Sequence, residues 1–598
     1  ANTTGELNTA IGFQAMKDNT TGDRNVALGY GALQDMNVTD GSHTFNTAVG
    51  FAAGENTSTG TLNTFIGANA GNLNQTGIGN VAIGYIALSA NTSANYNVAI
   101  GRLALASNVT GNENTAVGNG ALSTNIDGDR SVAVGYNALA TQEPASNVDM
   151  YNVAVGHSAG AAVTTGIQNT LIGGLAGDAV TTANNNTLIG SLAGTTLIGG
   201  GENTAVGRAA LFAANTGTQN VAIGAQSLST NTTASFNTAV GYKAGQLNVT
   251  GVELVAVGYE ALMSSTATGQ TAVGYKAGRL STGDDNTFMG AFAGTSLEGG
   301  ANNTFIGTFA GDGTDDGAAN TAVGELALSG NCQDSNTAIG RAAGEACTGT
   351  GNFLGGAGAA QSATTHDYNV IIGFNAASQQ NLTGNDNVII GKLAGYVMQA
   401  DSNTNTIVGK AAGFSLTTGD NNLFIGKDAG ITGSPGGNQT TGDNQITLGD
   451  EEVTSAHVQT DWTVASDQRD KTDFTALDLG LDFVKALAPV TYKWDKRAKY
   501  IDKTQDNWAD TDLNSITHDG THKEDWLDIG FKAQEVEALE IAAGYNTSSK
   551  TNLVSSHSGD GKQMGLQYSK FVPILVKAMQ EQNALIEALT ARIATLEG

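Results

Sequence analysis

Short apolar groups recur through the first three quarters of the chain, and each group ends in a glycine. Typical examples are NVAIG (80–84) and NVIIG (387–391). A run this short and this rich in β-branched residues is too brief for a helix and predicts a short β-strand. The glycine allows a sharp bend after the strand. The pattern therefore predicts one strand followed by one turn, repeated many times.

The glycines that end these groups are almost evenly spaced. They are 17 residues apart from Gly50 to Gly135 and again from Gly156 to Gly258. About 26 such groups lie between Gly12 and Gly449. The period drifts to 15–18 residues between Gly258 and Gly426, and insertions of four residues precede Gly50 and Gly156. Self-similarity at so short a period predicts a solenoid of stacked coils and not a row of globular domains.

Both residues before the glycine are usually apolar. The residue two before it is large in ten groups: Phe65, Leu171, Leu188, Phe288, Phe305, Phe353, Ile371, Ile389, Ile407 and Phe424. Adjacent strand residues face opposite sides, so both faces of the strand should be covered. One face can fill the interior of the coil. For the other face we predict a second copy of the same chain around a shared axis.

Most groups open with asparagine, for example Asn63, Asn80 and Asn97. Such an asparagine can bond its own backbone at a turn, and asparagines stacked in register would form a ladder. The repeated group and its spacing resemble the head repeats of trimeric autotransporter adhesins and related phage fibres, in which three chains wind β-coils around one axis. The resemblance covers residues 1–449, although a 17-residue period is longer than that of the usual adhesin repeat.

The composition changes near residues 450–465, where we place a linker. All four tryptophans follow residue 461, and 15 of the 27 Lys and Arg residues follow residue 465. The net charge of −28 argues against nucleic acid and anionic membrane surfaces as partners. Cys332 and Cys347 would lie in adjacent coils, close enough to bridge, and buried free thiols are the preferred interpretation.

No metal or cofactor is predicted. The segment HDGTH (518–522) lacks the glutamate of a zinc-protease helix. The segment GDGTDDG (311–317) lacks the acidic spacing of a calcium loop.

Four segments after the linker form a second pattern: SDQRDK (466–471), LAPVTYKWD (487–495), IGFKAQEVEAL (529–539) and LQYSKFVPILVKAMQEQNALIEAL (566–589). Their order and spacing resemble the intramolecular chaperone domain of endosialidase-type phage tailspikes, peptidase family S74. The resemblance implies a small α+β domain, residues 466–570, that trimerises and aligns three chains so that the upstream fibre can wind. It also implies that the domain then cuts itself off with a serine–lysine pair.

By this resemblance the nucleophile is Ser466 and its base is Lys471, and the cleavage junction comprises Ala465, Ser466 and Asp467. A serine hydroxyl needs a base to take its proton. A lysine can serve when desolvation or a nearby cation, here Arg469, favours its neutral form. Either peptide bond flanking Ser466 could be the one that is cut.

Asp470 departs from the family pattern, which usually has an apolar residue at this place. Its negative charge would favour the protonated form of Lys471, unless the two side chains face apart as on a strand. A purely structural interpretation also stays open, in which Ser466 caps a turn and Lys471 is a solvated charge.

The tail, residues 571–598, follows heptads and predicts a coiled-coil helix. One seam position holds Val572, Met579, Ile586 and Ile593, and the other holds Leu575, Gln582, Leu589 and Leu596. Ile and Leu at these places would by themselves favour a dimer. The repeats and the family resemblance instead imply a parallel homotrimer, in which Gln582 would set the register.

The sequence thus predicts a mainly β protein: a trimeric β-solenoid over residues 1–449, a small α+β chaperone domain and a C-terminal coiled coil. The predicted function is attachment, as a phage tail fibre or a fibre of a contractile injection machine that binds a host cell-surface glycan or protein. The expected location is a virion tail fibre or an extracellular fibre. Because the chain begins at Ala1, a preceding region is expected to join the virion or a baseplate. Self-cleavage is the only enzymatic activity predicted.

Two alternatives remain open. A polysaccharide-degrading tailspike needs two carboxylates about 5–10 Å apart in a cleft. Repeat acids such as Asp127, Asp129 and Asp284 fall in predicted loops without recurring aromatic partners. A trimeric bacterial surface adhesin would share the fibre, but such adhesins end in a membrane anchor, and none follows Leu596.

Overall fold

The computed structural model describes residues 2–39, 42–460, 462–502 and 511–598. The chain divides into two compact units, residues 1–335 and 336–598. The first unit consists of coils alone, and the second holds further coils and a small C-terminal domain with a long final helix. The mainly β solenoid with a period of about 17 residues, predicted from the glycine spacing, is confirmed.

In the first unit each repeat contributes one three-residue strand. These strands are Thr9–Ile11, Val26–Leu28, Thr47–Val49, Thr64–Ile66, Val81–Ile83, Val98–Ile100, Thr115–Val117, Val132–Val134, Val153–Val155, Thr170–Ile172, Thr187–Ile189, Thr204–Val206, Val221–Ile223, Thr238–Val240, Val255–Val257, Thr271–Val273, Thr287–Met289, Thr304–Ile306 and Thr321–Val323. Each strand pairs in parallel with its neighbours, as Val81 does with Val98. A separate parallel pair, Gly128–Asp129 with Val148–Asp149, joins the insertion before Gly156 to the preceding coil.

The coils of the second unit follow the same plan. Their strands are Thr337–Ile339, Phe353–Gly355, Val370–Ile372, Val388–Ile390, Thr406–Val408, Leu423–Ile425 and Ile446–Leu448. One prediction is wrong here, because Leu354 and not Phe353 is the buried central residue, and Phe353 is 42% exposed. The segment NFLGG has two glycines, and the turn conformation belongs to the second, Gly356, with φ of +120°.

The glycine that ends each strand is required by the neighbouring coil. Gly84 has φ of +134°, and a Cβ atom added to it would lie 2.6 Å from the carbonyl oxygen of Gly101. Gly67 stands in the same relation to Gly84, with a distance of 2.5 Å. Any side chain at this place would therefore push two coils apart.

The predicted asparagine ladder is confirmed: its hydrogen bonds join neighbouring coils, and some of its members, such as Asn369, also bond the local backbone. The Oδ1 atom of Asn80 accepts a hydrogen bond from the backbone N–H of Asn97 at 2.9 Å. Its Nδ2 atom donates to the carbonyl oxygen of Ala94 at 2.8 Å. Asn80 and Asn97 are fully buried. Each buried amide is thereby satisfied, and each coil is tied to the next.

The interior of the coils is filled by pairs of residues six positions apart. Where the strand centre is Ala82, the residue six later is Leu88, and both are buried. Where the centre is Phe65, the residue six later is Gly71, whose added Cβ would lie 2.4 Å from the ring of Phe65. A large residue at one position thus accompanies a small residue at the other, although some coils, such as the one with Ala48 and Gly54, have small residues at both positions.

The outward face of the strands is apolar and partly exposed in the single chain. Ile66, Ile100 and Ile223, each directly before a turn glycine, keep more than a third of their surface accessible. This is the face for which the sequence predicts a second copy as partner. Cys332 and Cys347 are both buried, as the sequence analysis expects.

The C-terminal domain packs three helices around a small core. Helix α1 spans Leu481–Ala486, α2 spans Ala533–Ala542 and α3 spans Phe571–Glu597. The antiparallel strand pairs are Val490–Tyr492 with Asp528–Gly530, and Ser555–His557 with Met564–Leu566. Short 3-10 helices span Gln468–Asp470, Arg497–Tyr500, Leu513–Ser515 and Tyr568–Lys570. The core consists of Leu479, Phe483, Val536, Val554, Phe571 and Ile574.

The volume pairing inside the coils predicts a compensating double substitution. Phe65→Ala should lower the local free energy of unfolding by about 3–5 kcal/mol, because it leaves a cavity between Gly54 and Gly71, which both adjoin the ring. Adding Gly71→Leu should recover part of that loss, because it reproduces the pair formed by Ala82 and Leu88. Hydrogen exchange of the amides of residues 64–88 measures both changes. A double variant that exchanges as fast as the single one would contradict this packing rule.

Candidate functional site

A single 3-10 turn brings the predicted nucleophile and base together. The turn Gln468–Asp470 reverses the chain between Ser466 and Lys471. The Nζ atom of Lys471 lies 2.6 Å from the Oγ atom of Ser466 and 3.4 Å from the carbonyl oxygen of the same residue. This is hydrogen-bonding distance, as a proton transfer between hydroxyl and amine requires.

Asp467 closes the turn. Its side chain also forms an ion pair with Arg469, the cation that was expected to act on Lys471. The Oδ1 atom of Asp467 accepts a hydrogen bond from the backbone N–H of Arg469 at 2.8 Å. The guanidinium of Arg469 pairs with the same carboxylate at 2.6 Å. Hydrogen bonding between the two lowers the pKa of Asp467 and raises that of Arg469. The charge of Arg469 is thus balanced by Asp467 instead of being directed at Lys471.

The whole junction is exposed in the single chain. Ala465, Ser466, Asp467, Asp470 and Lys471 all lie on the surface. The segment forms a 3-10 turn and not a strand, so the alternation of strand side chains does not separate Asp470 from Lys471. The pair Ser466 and Lys471 thus combines hydrogen-bonding geometry with exposure of both residues to solvent.

A buried carboxylate, which the sequence analysis missed, ties helix α2 to the strand beside it. The Oε1 atom of Glu540 accepts hydrogen bonds from the backbone N–H groups of Leu553 and Val554 at 2.7 and 2.6 Å. Its Oε2 atom accepts from the N–H of Ser555 at 3.0 Å and from the hydroxyl of that serine. Burial alone would raise the pKa of Glu540, but these hydrogen bonds outweigh it and lower the pKa. Nothing in the local sequence distinguishes Glu540 from the exposed Glu535.

Helix α3 packs on the described part of the C-terminal domain through residues 571–581. Phe571, Ile574 and Ala578 are its buried residues. Glu581 accepts a hydrogen bond from the N–H of Leu481 at 2.7 Å, at the start of α1. The predicted seam residues are all exposed: Val572, Leu575, Met579, Gln582, Ile586, Leu589, Ile593 and Leu596. The heptad face is therefore distinct from the face that packs on the domain.

The acids considered for a glycosidase site bond to neighbouring coils. The Oδ1 atom of Asp129 accepts a hydrogen bond from the N–H of Asn112 at 2.6 Å, and that of Asp284 accepts from Thr268 at 2.9 Å. Asn112 itself accepts from the N–H of Asn95 at 2.9 Å. These acids occupy places in a second, outer ladder of Asn and Asp side chains, which explains their recurrence structurally.

Aromatic side chains recur on the coils as stacked columns, which the sequence analysis did not predict. Tyr242, Tyr259 and Tyr275 form a column with ring centroids 5.3 and 5.1 Å apart. Phe292 and Phe309 stack with centroids 5.0 Å apart. Ring faces within these stacks pack against one another, so the column presents mainly ring edges to solvent. The spacing of one period between these residues was the signal that could have revealed them.

His518 and His522 lie near the ring of Tyr500, with ring centroids 5.9 and 4.6 Å away. Across residues 2–39, 42–460, 462–502 and 511–598, no group of three or more His, Cys, Asp or Glu side chains is arranged to hold a metal ion. Over the same ranges, no helix is both long and apolar enough to cross a membrane.

The C-terminal part of the chain matches a known family. Residues 466–545 match the model of the peptidase S74 family, described as the chaperone of endosialidase. The match begins at Ser466 and includes Lys471, so the resemblance drawn from four sequence segments is confirmed for this part of the chain. A search of curated proteins gave no match. A long β-solenoid before such a chaperone segment is consistent with a tail fibre or tailspike-like protein.

The environment of Glu540 predicts how the stability of the C-terminal domain depends on pH. Because its pKa is lower in the folded state, its contribution is complete at neutral pH and is lost as the pH falls through that folded value. Glu540→Gln should cost about 2–3 kcal/mol at neutral pH, because its amide group faces hydrogen-bond donors. The cost should shrink in acid.

Tryptophan fluorescence during denaturant unfolding measures this effect, because every tryptophan follows residue 461. Glu535→Gln, on the exposed side of the same helix, is the matched control and should change little. A Glu540→Gln penalty that stayed constant between neutral and acid pH would disprove the assignment.

Proposed function

We propose that this chain forms a trimeric fibre whose C-terminal part assembles the shaft and then cuts the chain at Ser466. The observation that carries the proposal is the match to the endosialidase chaperone directly after a long β-solenoid. We assign residues 1–449 to the shaft, 450–465 to a linker, 466–570 to the chaperone domain and 571–598 to a coiled coil.

The cleavage chemistry follows from two side chains. Lys471 accepts the proton of the Ser466 hydroxyl, and the Oγ atom attacks the carbonyl carbon of a flanking peptide bond. The carbon–nitrogen bond breaks, the leaving nitrogen takes a proton, and an ester to Oγ remains. Water then hydrolyses the ester and restores the serine. The distance of 2.6 Å between Lys471 Nζ and Ser466 Oγ supports this assignment.

Exposure of the pair supports a coupling between assembly and cleavage. A lysine in contact with water holds its proton, and one enclosed by protein can release it. In the single chain both Ser466 and Lys471 are exposed. We infer that neighbouring chains of the trimer cover the junction, so that the base becomes active only after the three chains are aligned.

The repeats leave the alignment of three chains ambiguous, and we propose that the chaperone domain resolves this ambiguity. Coils that repeat every 17 residues offer many nearly equivalent ways to align three chains. A trimeric clamp at the C-terminus would fix one alignment before winding begins. Once the clamp has been cut from the shaft, an unfolded fibre could not readily refold. The folded fibre would therefore be kinetically trapped.

Attachment to a host is the role that best fits such a fibre. The outer faces of the coils offer a long surface for a cell-surface glycan or protein, and the second partner that we propose is a virion or an injection-machine baseplate. Binding of labelled fibre to host cells is the test. Release of reducing sugar from host polysaccharide would favour the tailspike enzyme instead, because attachment needs only a binding surface and hydrolysis needs a pair of catalytic carboxylates.

Cleavage should depend on both members of the pair. The native chain should yield fragments of about 465 and 133 residues on a denaturing gel, whereas Ser466→Ala and Lys471→Ala should stay at 60.6 kDa and still trimerise. If the native trimer stays whole while Asp470→Leu cuts itself, the charge of Asp470 has silenced the site and the domain is a permanent clamp. If neither is cut, the assignment of Ser466 and Lys471 is wrong.

Trimer formation should depend on the exposed seam of α3. Ile586→Asp places a charge in the predicted seam and should reduce the trimer fraction, because a charge is costly to bury between helices. Ala584→Asp changes an exposed residue on another face of the same helix and should leave the trimer intact. Light scattering of the Ser466→Ala chain measures both variants. Equal loss in both, or a monomeric mass for the parent, would contradict the proposed trimer.

A further inference from the structure

The last coil of the solenoid is longer than the others. Asn405 and Asn422 are ladder neighbours 17 residues apart, but the next step joins Asn422 to Gln445, 23 residues on. The extra residues follow the strand Leu423–Ile425, and we name residues 431–439 the tip loop. Insertions on a surface normally stay exposed. Ile431, Thr432, Ser434 and Gln439 are instead buried, so the tip loop packs against another surface.

That surface is the turn of the second hairpin in the C-terminal domain, residues 558–563, here named the hairpin turn. The backbone N–H of Gly559 donates to the carbonyl oxygen of Gly436 at 3.1 Å. The backbone N–H of Asn438 donates to the Oδ2 atom of Asp560 at 3.0 Å. The hairpin turn is itself held by Arg497, whose Nη2 atom donates to the carbonyl oxygen of Lys562 at 2.8 Å.

Glycines give the tip loop its fit. A Cβ atom added at Gly437 would lie 2.4 Å from the Oδ1 atom of Asp560 and 2.6 Å from the Cβ atom of Ser558. A Cβ atom added at Gly433 would lie 2.4 Å from the Cβ atom of Ala498. The two surfaces therefore approach more closely than any other residue would permit.

A second contact lies just beyond the last strand. The Nζ atom of Lys496 donates to the carbonyl oxygen of Glu451 at 2.6 Å and to that of Val453 at 3.4 Å. Both contacts hold the C-terminal domain to residues that precede the junction at Ser466. The segments 452–460 and 462–471 between them are exposed, so cutting the chain there removes none of these hydrogen bonds.

We propose that the tip loop is a docking site for the hairpin turn, and that this contact keeps the C-terminal part on the shaft after the chain has been cut. The proposal rests on the proposed cleavage at Ser466, and it makes release a separate event that begins when the tip loop and the hairpin turn part. Asp560 and Lys496 are the two side chains whose charged groups hold the docked state.

The test separates docking from self-cleavage. In a Ser466→Ala chain, a recognition sequence for an added protease is inserted within the exposed residues 455–459. The oligomeric state is measured first, the protein is then cut by the added protease, and the products are separated by size-exclusion chromatography under native conditions. Failure of the Ser–Lys chemistry or of trimer formation would be seen in other measurements and would not alter this readout.

After cutting, the C-terminal fragment of the parent should elute with the shaft. Asp560→Asn and Lys496→Met together remove the charge from one hydrogen bond and abolish two more, so retention should weaken by at least about tenfold. The matched control is Asp519→Asn, because Asp519 also caps a turn, at Thr521, and has no hydrogen bond to the tip loop.

Two results would overturn the proposal: separation of the parent fragments immediately after cutting, or retention of the double variant as strong as that of the parent. The control should co-elute like the parent, and separation of the control would show that the readout reports general damage to the domain and would also count against specific docking. The parent carries no substitution in the contact. Its elution after cutting therefore tests the proposal even if one of the variants misfolds.

Discussion

Hydrogen bonding between neighbouring coils is the constraint on which this fold depends. A three-residue strand makes too few contacts to be stable alone. Each coil is therefore stable only because its backbone N–H and C=O groups form hydrogen bonds with the neighbouring coils. The buried asparagines enforce this coupling, since an amide such as that of Asn80 has its partners one period away. The period, the glycine at each bend and the paired filling of the interior all follow from the requirement that coils stack in register.

The same constraint explains why a second kind of structure follows the coils. Stacking fixes the neighbours of each coil within one chain, but it would say little about how the three chains of the proposed trimer align. The C-terminal domain has an ordinary core, in which Phe483, Val536 and Phe571 pack together, and a helix whose heptad face is left uncovered. In the proposed assembly, the repeats would provide the length of the fibre and the non-repetitive domain would provide a unique starting point for alignment.

Much of this could be predicted from the sequence, because a repeat shows its own rule many times. The spacing predicted the strand positions, the turn glycines and the place of Asn80 in a ladder, and the chaperone segments predicted the pair Ser466 and Lys471. The error at Phe353 arose where two glycines adjoin and spacing no longer identifies the turn. Contacts between segments distant in sequence, such as Glu540 with Ser555 or Asp560 with Asn438, left no local signal, because nothing in a single sequence pairs them.

The central claim is that the C-terminal part is needed to build the fibre. The most direct test is the mass, measured by analytical ultracentrifugation, of residues 1–465 produced without the C-terminal part, compared with that of the full Ser466→Ala chain. The account predicts a trimer for the full chain and monomers or irregular aggregates for residues 1–465 made alone. A trimer formed by residues 1–465 alone, with the same thermal stability as the trimer of the full chain, would contradict it.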